Sequence, residues 1–431
     1  MKCRKGTALL LAGSLALGLA GCGSSKENGE NQTAEQKLTI WAWDEAFNIP
    51  AAKEATEIYQ SNHPGAEVDI VTMAQNDIVA KLNTSLASGS YEGLPDLVLI
   101  EDYRIQGYLK AYSEEFSDLS DVVKNEDFAS YKTGINQYNG VTYGCPFDSG
   151  VAGLFYRTDY VEQAGYTQED MQDLTWEKYI EIGKAVKEAC GKDMLTLDPS
   201  DVQQIRMFMQ SAGTWYTDEE GRPTLEGNQG VLDAVNTYKA LMDAGIVKLV
   251  SDWNQFVSAF NNGDVASIPT GCWISPSVIQ AEDQAGKWAI APFPRMGENP
   301  DSVNATSIGG AGWYILKNVG HEEEAKTFLK ETFASSTELM NTLAEEINLV
   351  STLNAASECE NYAKPQEFYG GQKIFQDFAA WTAEVPRVNY GESTYQMEDF
   401  MKEILAQVIA GADPEEVLAD YQVQAEAALG Q

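Results

Sequence analysis

Residues 38–43 (LTIWAW), 67–71 (EVDIV) and 96–100 (DLVLI) have the apolar, β-branched character of buried strands. The segments between them have helical spacing: one runs from about residue 48 to residue 60, and the other covers residues 77–87 and ends at Gly89. Strands and helices that alternate in this way form a parallel sheet with right-handed crossovers. We therefore predict an α/β fold whose ligand lies beyond the carboxyl ends of the strands.

Polar and aromatic residues stand at two of these strand ends. Trp43, Asp44 and Glu45 lie at the end of the first strand, and Glu101 and Asp102 lie at the end of the third. Their position favours ligand contact over the many acids on helix faces, although each one could instead be a solvated surface residue. For Trp43, a place in the core is the alternative, because strand alternation puts it on the same face as Trp41.

The chain downstream continues the alternation after a change in composition at residues 139–150 (NGVTYGCPFDSG). Further strands are predicted at residues 154–157, 265–268 and 287–291, and the proline-rich residues 292–302 suggest a second crossing between domains. Helices are predicted at residues 176–189, 231–244, 253–260, 321–333, 338–346, 397–409 and 414–429.

Three details of these helices and their loops are testable against a structure. Asp413 should cap the last helix, with Pro414 at its first position. The aromatic stripe of residues 253–260 is predicted to be core. Trp215 and Tyr216 are predicted to lie on an exposed turn, with contact to an extended ligand as the alternative.

The N-terminus is basic, then apolar, then small, which is the pattern of a secretory signal. It ends in Leu-Ala-Gly-Cys at residues 19–22, which resembles the lipobox of bacterial lipoproteins and implies cleavage before Cys22 and acylation of that cysteine. A plain signal peptide is the alternative. We thus expect a signal peptide at residues 1–21 and a lipid-anchored tether at residues 22–36, which would hold the folded part at the outer face of the cell membrane.

The composition excludes several classes of function. The chain has 29 basic and 65 acidic residues, so we predict no nucleic-acid partner, because neutralising phosphates requires clustered Lys and Arg. We predict neither metal nor cofactor, because no Cys-x-x-Cys or Cys/His cluster occurs. No phosphate-binding loop occurs either, so any energy coupling must come from another chain.

Seven segments, taken in order, resemble the extracellular solute-binding proteins of carbohydrate ABC transporters, the group that includes maltose-binding protein. These segments are LTIWAW, GCPFD with LFYRTDYVEQAGY, TWEKYIEIGKAV, NNGDVASIPTGCW, APFP to GGAGWYI, EEEAKTFLKETFASSTE and GADPEEVLADY. The resemblance implies a two-lobed periplasmic-binding-protein-like fold with a hinge and an interlobe ligand cleft. It also implies a monomer that delivers its solute to a membrane permease with a partner ATPase. We place one lobe at residues 37–142 and 304–351, and the other at residues 143–303 and 352–431.

A sugar has apolar faces and a hydroxyl rim, so its site should combine aromatic rings with carboxylates, amides or a guanidinium. The resemblance makes Trp273 the first stacking candidate, with Trp313 as a lesser one that could simply be buried. It also points to Arg387 and Tyr395 in the second lobe, and Asp148 could contact ligand from the crossing segment. A two-carboxylate glycosidase, a scaffolding protein and a binding protein for another polar solute remain as alternatives.

Overall fold

The computed structural model describes residues 37–430. The predicted signal peptide, the tether and Cys22 lie outside this range. Within it, every helix is too short or too polar to cross a bilayer.

The described chain alternates strands and helices along most of its length. The strands are β1 (Lys37–Ala42), β2 (Glu67–Thr72), β3 (Leu97–Glu101), β4 (Gln137–Tyr138), β5 (Val141–Thr142), β6 (Gly144–Pro146), β7 (Ala152–Arg157), β8 (Leu195–Leu197), β9 (Val247–Leu249), β10 (Ser267–Gly271), β11 (Trp288–Pro292) and β12 (Ala311–Ile315). The α-helices are α1 (Asn48–Asn62), α2 (Gln75–Ser88), α3 (Asp102–Tyr112), α4 (Ser130–Ile135), α5 (Thr158–Gln163), α6 (Trp176–Cys190), α7 (Gln203–Ser211), α8 (Gln229–Asp243), α9 (Trp253–Asn261), α10 (Ser275–Val278), α11 (Glu322–Glu331), α12 (Thr337–Ile347), α13 (Ile374–Glu384), α14 (Thr394–Ile409) and α15 (Pro414–Leu429).

The first lobe is built on a five-stranded sheet, in the order β2-β1-β3-β12-β6 among the described residues. The pairs β1–β2 and β1–β3 are parallel, which confirms the predicted parallel arrangement of the first three strands. β12 then pairs antiparallel with both β3 and β6. The sheet is therefore mixed, because the chain returns to it from the second lobe in the opposite direction.

The second lobe is built on a smaller antiparallel sheet, in the order β10-β7-β11, beside the parallel pair β8–β9. Helices cover these strands, and side chains cap two of them at the N-terminus. The Thr175 hydroxyl caps α6 by accepting from the Lys178 backbone N–H. Asp413 caps α15, with Pro414 at its first position, as predicted.

Two crossings between the lobes lie at points that differ from the sequence-based boundaries. β6 pairs with β12 in the first sheet, so the first crossing comes after Pro146 rather than at residue 142. The returning chain still pairs with the second lobe at Ser307, opposite Val151, and enters the first sheet only at Ala311. The intervening Gly310 has φ +98°, and a Cβ there would lie 2.7 Å from the Asp102 carboxylate, so a glycine is required.

Trp215 and Tyr216 correct the prediction of an exposed turn, because both are buried, at 3% and 0% exposure. Trp215 stacks on Tyr103 of the first lobe, with ring centroids 5.7 Å apart. The polar residues that follow suggested a surface loop, but the two rings fill the interface between the lobes.

Candidate ligand-binding site

A cavity of about 360 Å³ lies between the two lobes and includes five of the predicted site residues. The first lobe contributes the β1–α1 loop and the end of β3, the second contributes the start of α9 and the segment after β10, and the crossings form the back. The predicted residues that line it are Trp43, Asp44, Glu101, Asp148 and Trp273. Residues from distant parts of the chain thus meet at the carboxyl edge of the first sheet, as expected for an α/β fold.

Asp44 begins the turn that leads into α1. Its backbone is left-handed, with φ 62°, and its Oδ1 accepts hydrogen bonds from the backbone N–H groups of Ala46 and Phe47, at 2.8 and 3.0 Å. These bonds fix the carboxylate and leave Oδ2 outside them. Asp44 can therefore present a fixed acceptor to a ligand hydroxyl.

Trp273 lies just after β10, in the short turn that leads to α10. Its Nε1 donates to the Ile308 carbonyl oxygen at 3.0 Å, which ties the ring to a crossing segment. A Cβ at Gly271 would lie 2.1 Å from that nitrogen, so the glycine makes room for the indole. The half-buried ring is held rigidly and still borders the cavity.

Trp253 also lines the cavity, which corrects the prediction that the whole stripe of α9 is core. Phe256 and Phe260 are buried, but the Trp253 side chain is 50% exposed. It stacks on Phe256 at 5.5 Å, and its centroid lies 6.0 Å from that of Trp273. The sequence feature that sets Trp253 apart from the rest of the stripe is its position at the first residue of the helix.

Asp148 and Glu101 bring carboxylates to the cavity from the crossing segment and from the end of β3. Asp148 Oδ1 accepts from the Ala311 backbone N–H at 2.7 Å, so it joins the two crossings. The Glu101 carboxylate accepts from the Tyr395 hydroxyl and lies 3.3 Å from Arg104 Nε. Tyr395, which we predicted as a ligand contact, therefore reaches a residue of the cavity but is not itself part of its lining.

Asp102 and Trp313 correct two predictions of ligand contact, because the side chain of Asp102 is 1% exposed and Trp313 has no exposed surface. Asp102 forms a buried ion pair with Lys132 at 2.5 Å, and burial raises the pKa of Asp102 while Lys132 opposes that shift. Trp313 packs between Phe147 and Phe333 inside the first lobe.

Glu45 and Arg387 are exposed and do not line this cavity. Arg387 borders a separate interlobe cavity of about 630 Å³, where its guanidinium lies against Gly134 of α4. The predicted site residues therefore do not form one constellation. Arg387 and the aromatic wall face different parts of the gap between the lobes.

The chemistry of the cavity suits an uncharged polyhydroxyl ligand. Three tryptophans provide faces for stacking, and three carboxylates and the Gln75 amide provide hydrogen-bonding groups for hydroxyls. Among the described residues that line it, none is Lys, Arg or His. Residues 37–430 also contain no cluster of three or more His, Cys, Asp or Glu arranged to hold a metal ion.

Comparison with known proteins assigns the family from the sequence, and comparison of structures shows a shared fold. The sequence profile of the bacterial extracellular solute-binding proteins matches residues 54–369. A lactose-binding protein of Rhizobium radiobacter is 42% identical over 390 residues, which are 90% of this chain and 92% of that protein. A maltooligosaccharide ABC transporter solute-binding lipoprotein of Streptococcus pneumoniae is 24% identical over 374 residues, or 84% of this chain and 83% of that protein.

The structure of the sugar-binding protein MalE from Xanthomonas citri is 17% identical in sequence and superposes with a TM-score of 0.76. The superposition covers 91% of this chain and 97% of that one, which shows the shared two-lobed fold. The chain therefore belongs to the bacterial extracellular solute-binding proteins.

Proposed function

We propose that this protein captures a sugar or short oligosaccharide at the outer face of the cell membrane and delivers it to the permease of an ABC importer. The observation that supports this proposal most directly is the interlobe cavity, where tryptophans from both lobes face fixed carboxylates. The similarity to a lactose-binding protein and to a maltooligosaccharide-binding lipoprotein favours a sugar over another polar solute.

In this proposal the protein holds its ligand and breaks no bond in it. Asp44 and Asp148 both accept backbone hydrogen bonds, and Glu101 is held by Tyr395 and Arg104. Carboxylates fixed in this way orient hydroxyl groups. Closure of the lobes would then enclose the sugar through rotation at the crossings, where only a few residues need to change conformation.

The membrane attachment in this proposal is the acylated Cys22, followed by a polar tether of residues 23–36. One chain contributes both walls of the cavity, so a monomer suffices for binding. The permease and its ATPase would supply the transport step.

Calorimetry against lactose, maltose, maltotriose and other mono- and oligosaccharides tests the proposal, followed by chromatography of each mixture for products. We expect saturable binding of at least one saccharide, one per chain, with the sugar recovered unchanged. Hydrolysed sugar would assign the protein to the glycosidases instead. The absence of saturable binding to every saccharide would overturn the proposal.

A further inference from the structure

A polar cluster connects the two lobes beside the cavity. Glu101 is the last residue of β3 in the first lobe, and Tyr395 lies in the first turn of α14 in the second. The Tyr395 hydroxyl donates to Glu101 Oε2, and the Arg104 guanidinium lies both 3.3 Å from that oxygen and 4.0 Å from the centroid of the Tyr395 ring. We call these three side chains the Glu101 cluster.

A second set of contacts repeats this arrangement with the lobes exchanged. Arg206 of α7 in the second lobe lies 4.7 Å from the ring centroid of Tyr103, which belongs to the first lobe. Its Nε is 3.0 Å from the Glu398 carboxylate, one turn after Tyr395 on α14. Each lobe thus places an arginine on a tyrosine of the other. The start of α3 and the start of α14 are held together from both sides.

Glu101 is the member of these contacts that also lines the cavity. Arg104 belongs to the same lobe and the same helical turn, so it stays near Glu101 whether the lobes are open or closed. Tyr395 belongs to the other lobe, so separation of the lobes would carry it away from Glu101. The hydrogen bond from Tyr395 therefore depends on contact between the two lobes, and its acceptor is a carboxylate that lines the cavity.

We infer that Tyr395 is a positioning residue: through its hydroxyl it fixes the Glu101 carboxylate for the sugar when the lobes close, and it thereby couples ligand affinity to closure. This inference rests on the proposed function, since it takes Glu101 as a sugar contact. A hydrogen bond to an ionised acceptor contributes more than a neutral one, particularly where the acceptor is largely buried. The side chain of Glu101 is 16% exposed, which meets this condition.

The chain provides a matched control within a single lobe. The Tyr166 hydroxyl donates to Glu181 at 3.0 Å, and Lys178 lies 2.7 Å from the same carboxylate and 5.0 Å from the Tyr166 ring centroid. This cluster repeats the chemistry of tyrosine, glutamate and cation, but all three residues belong to the second lobe. Tyr166→Phe therefore removes a hydroxyl of the same chemistry, from a glutamate whose side chain is 60% exposed, without affecting contacts between the lobes.

The test compares Tyr395→Phe, Glu101→Ala, the double variant and Tyr166→Phe with the wild-type chain. Calorimetry uses lactose, or the saccharide of the panel that wild type binds best, and X-ray scattering with and without that sugar reports closure. We expect Tyr395→Phe to weaken binding about tenfold. The ring remains on Arg104, so the unfolding temperature should stay close to that of wild type. We also expect Tyr395→Phe to have no further effect in the Glu101→Ala background, and Tyr166→Phe to bind as wild type does.

If the wild-type protein binds sugar, either of two results would overturn the inference. One is unchanged affinity in Tyr395→Phe. The other is an equal loss with and without the Glu101 side chain, which would mean that Tyr395 acts independently of Glu101. If wild type binds no saccharide of the panel, the proposed function fails and the inference fails with it.

Discussion

The surroundings of Trp273 and Trp313 differ although their sequences are similar. Both follow closely on a glycine at an apolar segment, GCW in one case and AGW in the other. Trp273 lies beyond the end of β10 and borders the cavity, whereas Trp313 lies inside β12, between β3 and β6, and has no exposed surface. A residue inside a central strand is enclosed by neighbouring strands and helices. A residue just past a strand end can face a cleft.

The largest effect is expected from Trp313→Ala, which should lower the stability of the fold. The substitution leaves a large cavity between Phe147 and Phe333, so we expect the free energy of unfolding to fall by about 3–5 kcal/mol. Chemical denaturation of the sugar-free protein measures this loss. A stability close to wild type would contradict the assignment of Trp313 to the core.

Trp273→Ala should act on affinity. Loss of a stacking ring weakens binding by about 1–3 kcal/mol, while the half-buried position makes the effect on folding smaller than that at Trp313. Calorimetry with the bound saccharide measures the change, and Trp273→Phe serves as the control that retains an aromatic face. Unchanged affinity in Trp273→Ala would remove this residue from the site.

The glycines beside the two tryptophans provide a second test of the difference between their surroundings. An added methyl at Gly271 would lie 2.1 Å from the Trp273 indole nitrogen, so Gly271→Ala should displace the ring and weaken sugar binding by about 1 kcal/mol. At Gly312 the methyl would lie 3.1 Å from Asn136 and Tyr314 inside the sheet, so Gly312→Ala should lower stability. Calorimetry and denaturation of both variants check this. If Gly271→Ala and Gly312→Ala changed sugar affinity and stability by the same amounts, the distinction between a cavity position and a core position would be wrong.

Trp253→Ala should give the smallest effect. Half of its surface is exposed at the mouth of the cavity, so we expect affinity to fall by about 0.5–1 kcal/mol and stability to change little. Titrations with a disaccharide and a longer oligosaccharide would measure this. Phe256→Ala, which removes the buried ring beneath it, is the control and should reduce stability instead.

Much of the first lobe could be predicted because its signals are local. The strands at residues 38–43, 67–71 and 96–100 have continuous apolar character, and the helices between them keep regular spacing. Their parallel pairing follows from the connections, and this places Asp44 and Glu101 at the same edge. Asp148 was predicted from its place on the crossing segment, and it lines the cavity.

The failures concern residues whose surroundings come from distant parts of the chain. Trp215 precedes polar residues typical of a surface turn, yet Tyr103 covers its ring. Asp102 follows a strand end as Glu101 does, but the helix it begins turns its side chain toward Lys132. Trp253 fits the periodicity of a core stripe, and only the position of the interlobe gap leaves it exposed.

By itself, the sequence determined the alternation of strands and helices, the family and the residue types that a sugar site needs, because these depend on local periodicity and on segments read in order. The tertiary structure alone decided which of those side chains meet. Glu101 and Tyr395 are separated by 294 positions along the chain and come into contact where the two lobes meet. Local residue spacing carries no information about contacts between residues so far apart in the chain. The pairing of Glu101 with Tyr395 could therefore be identified only from the folded molecule.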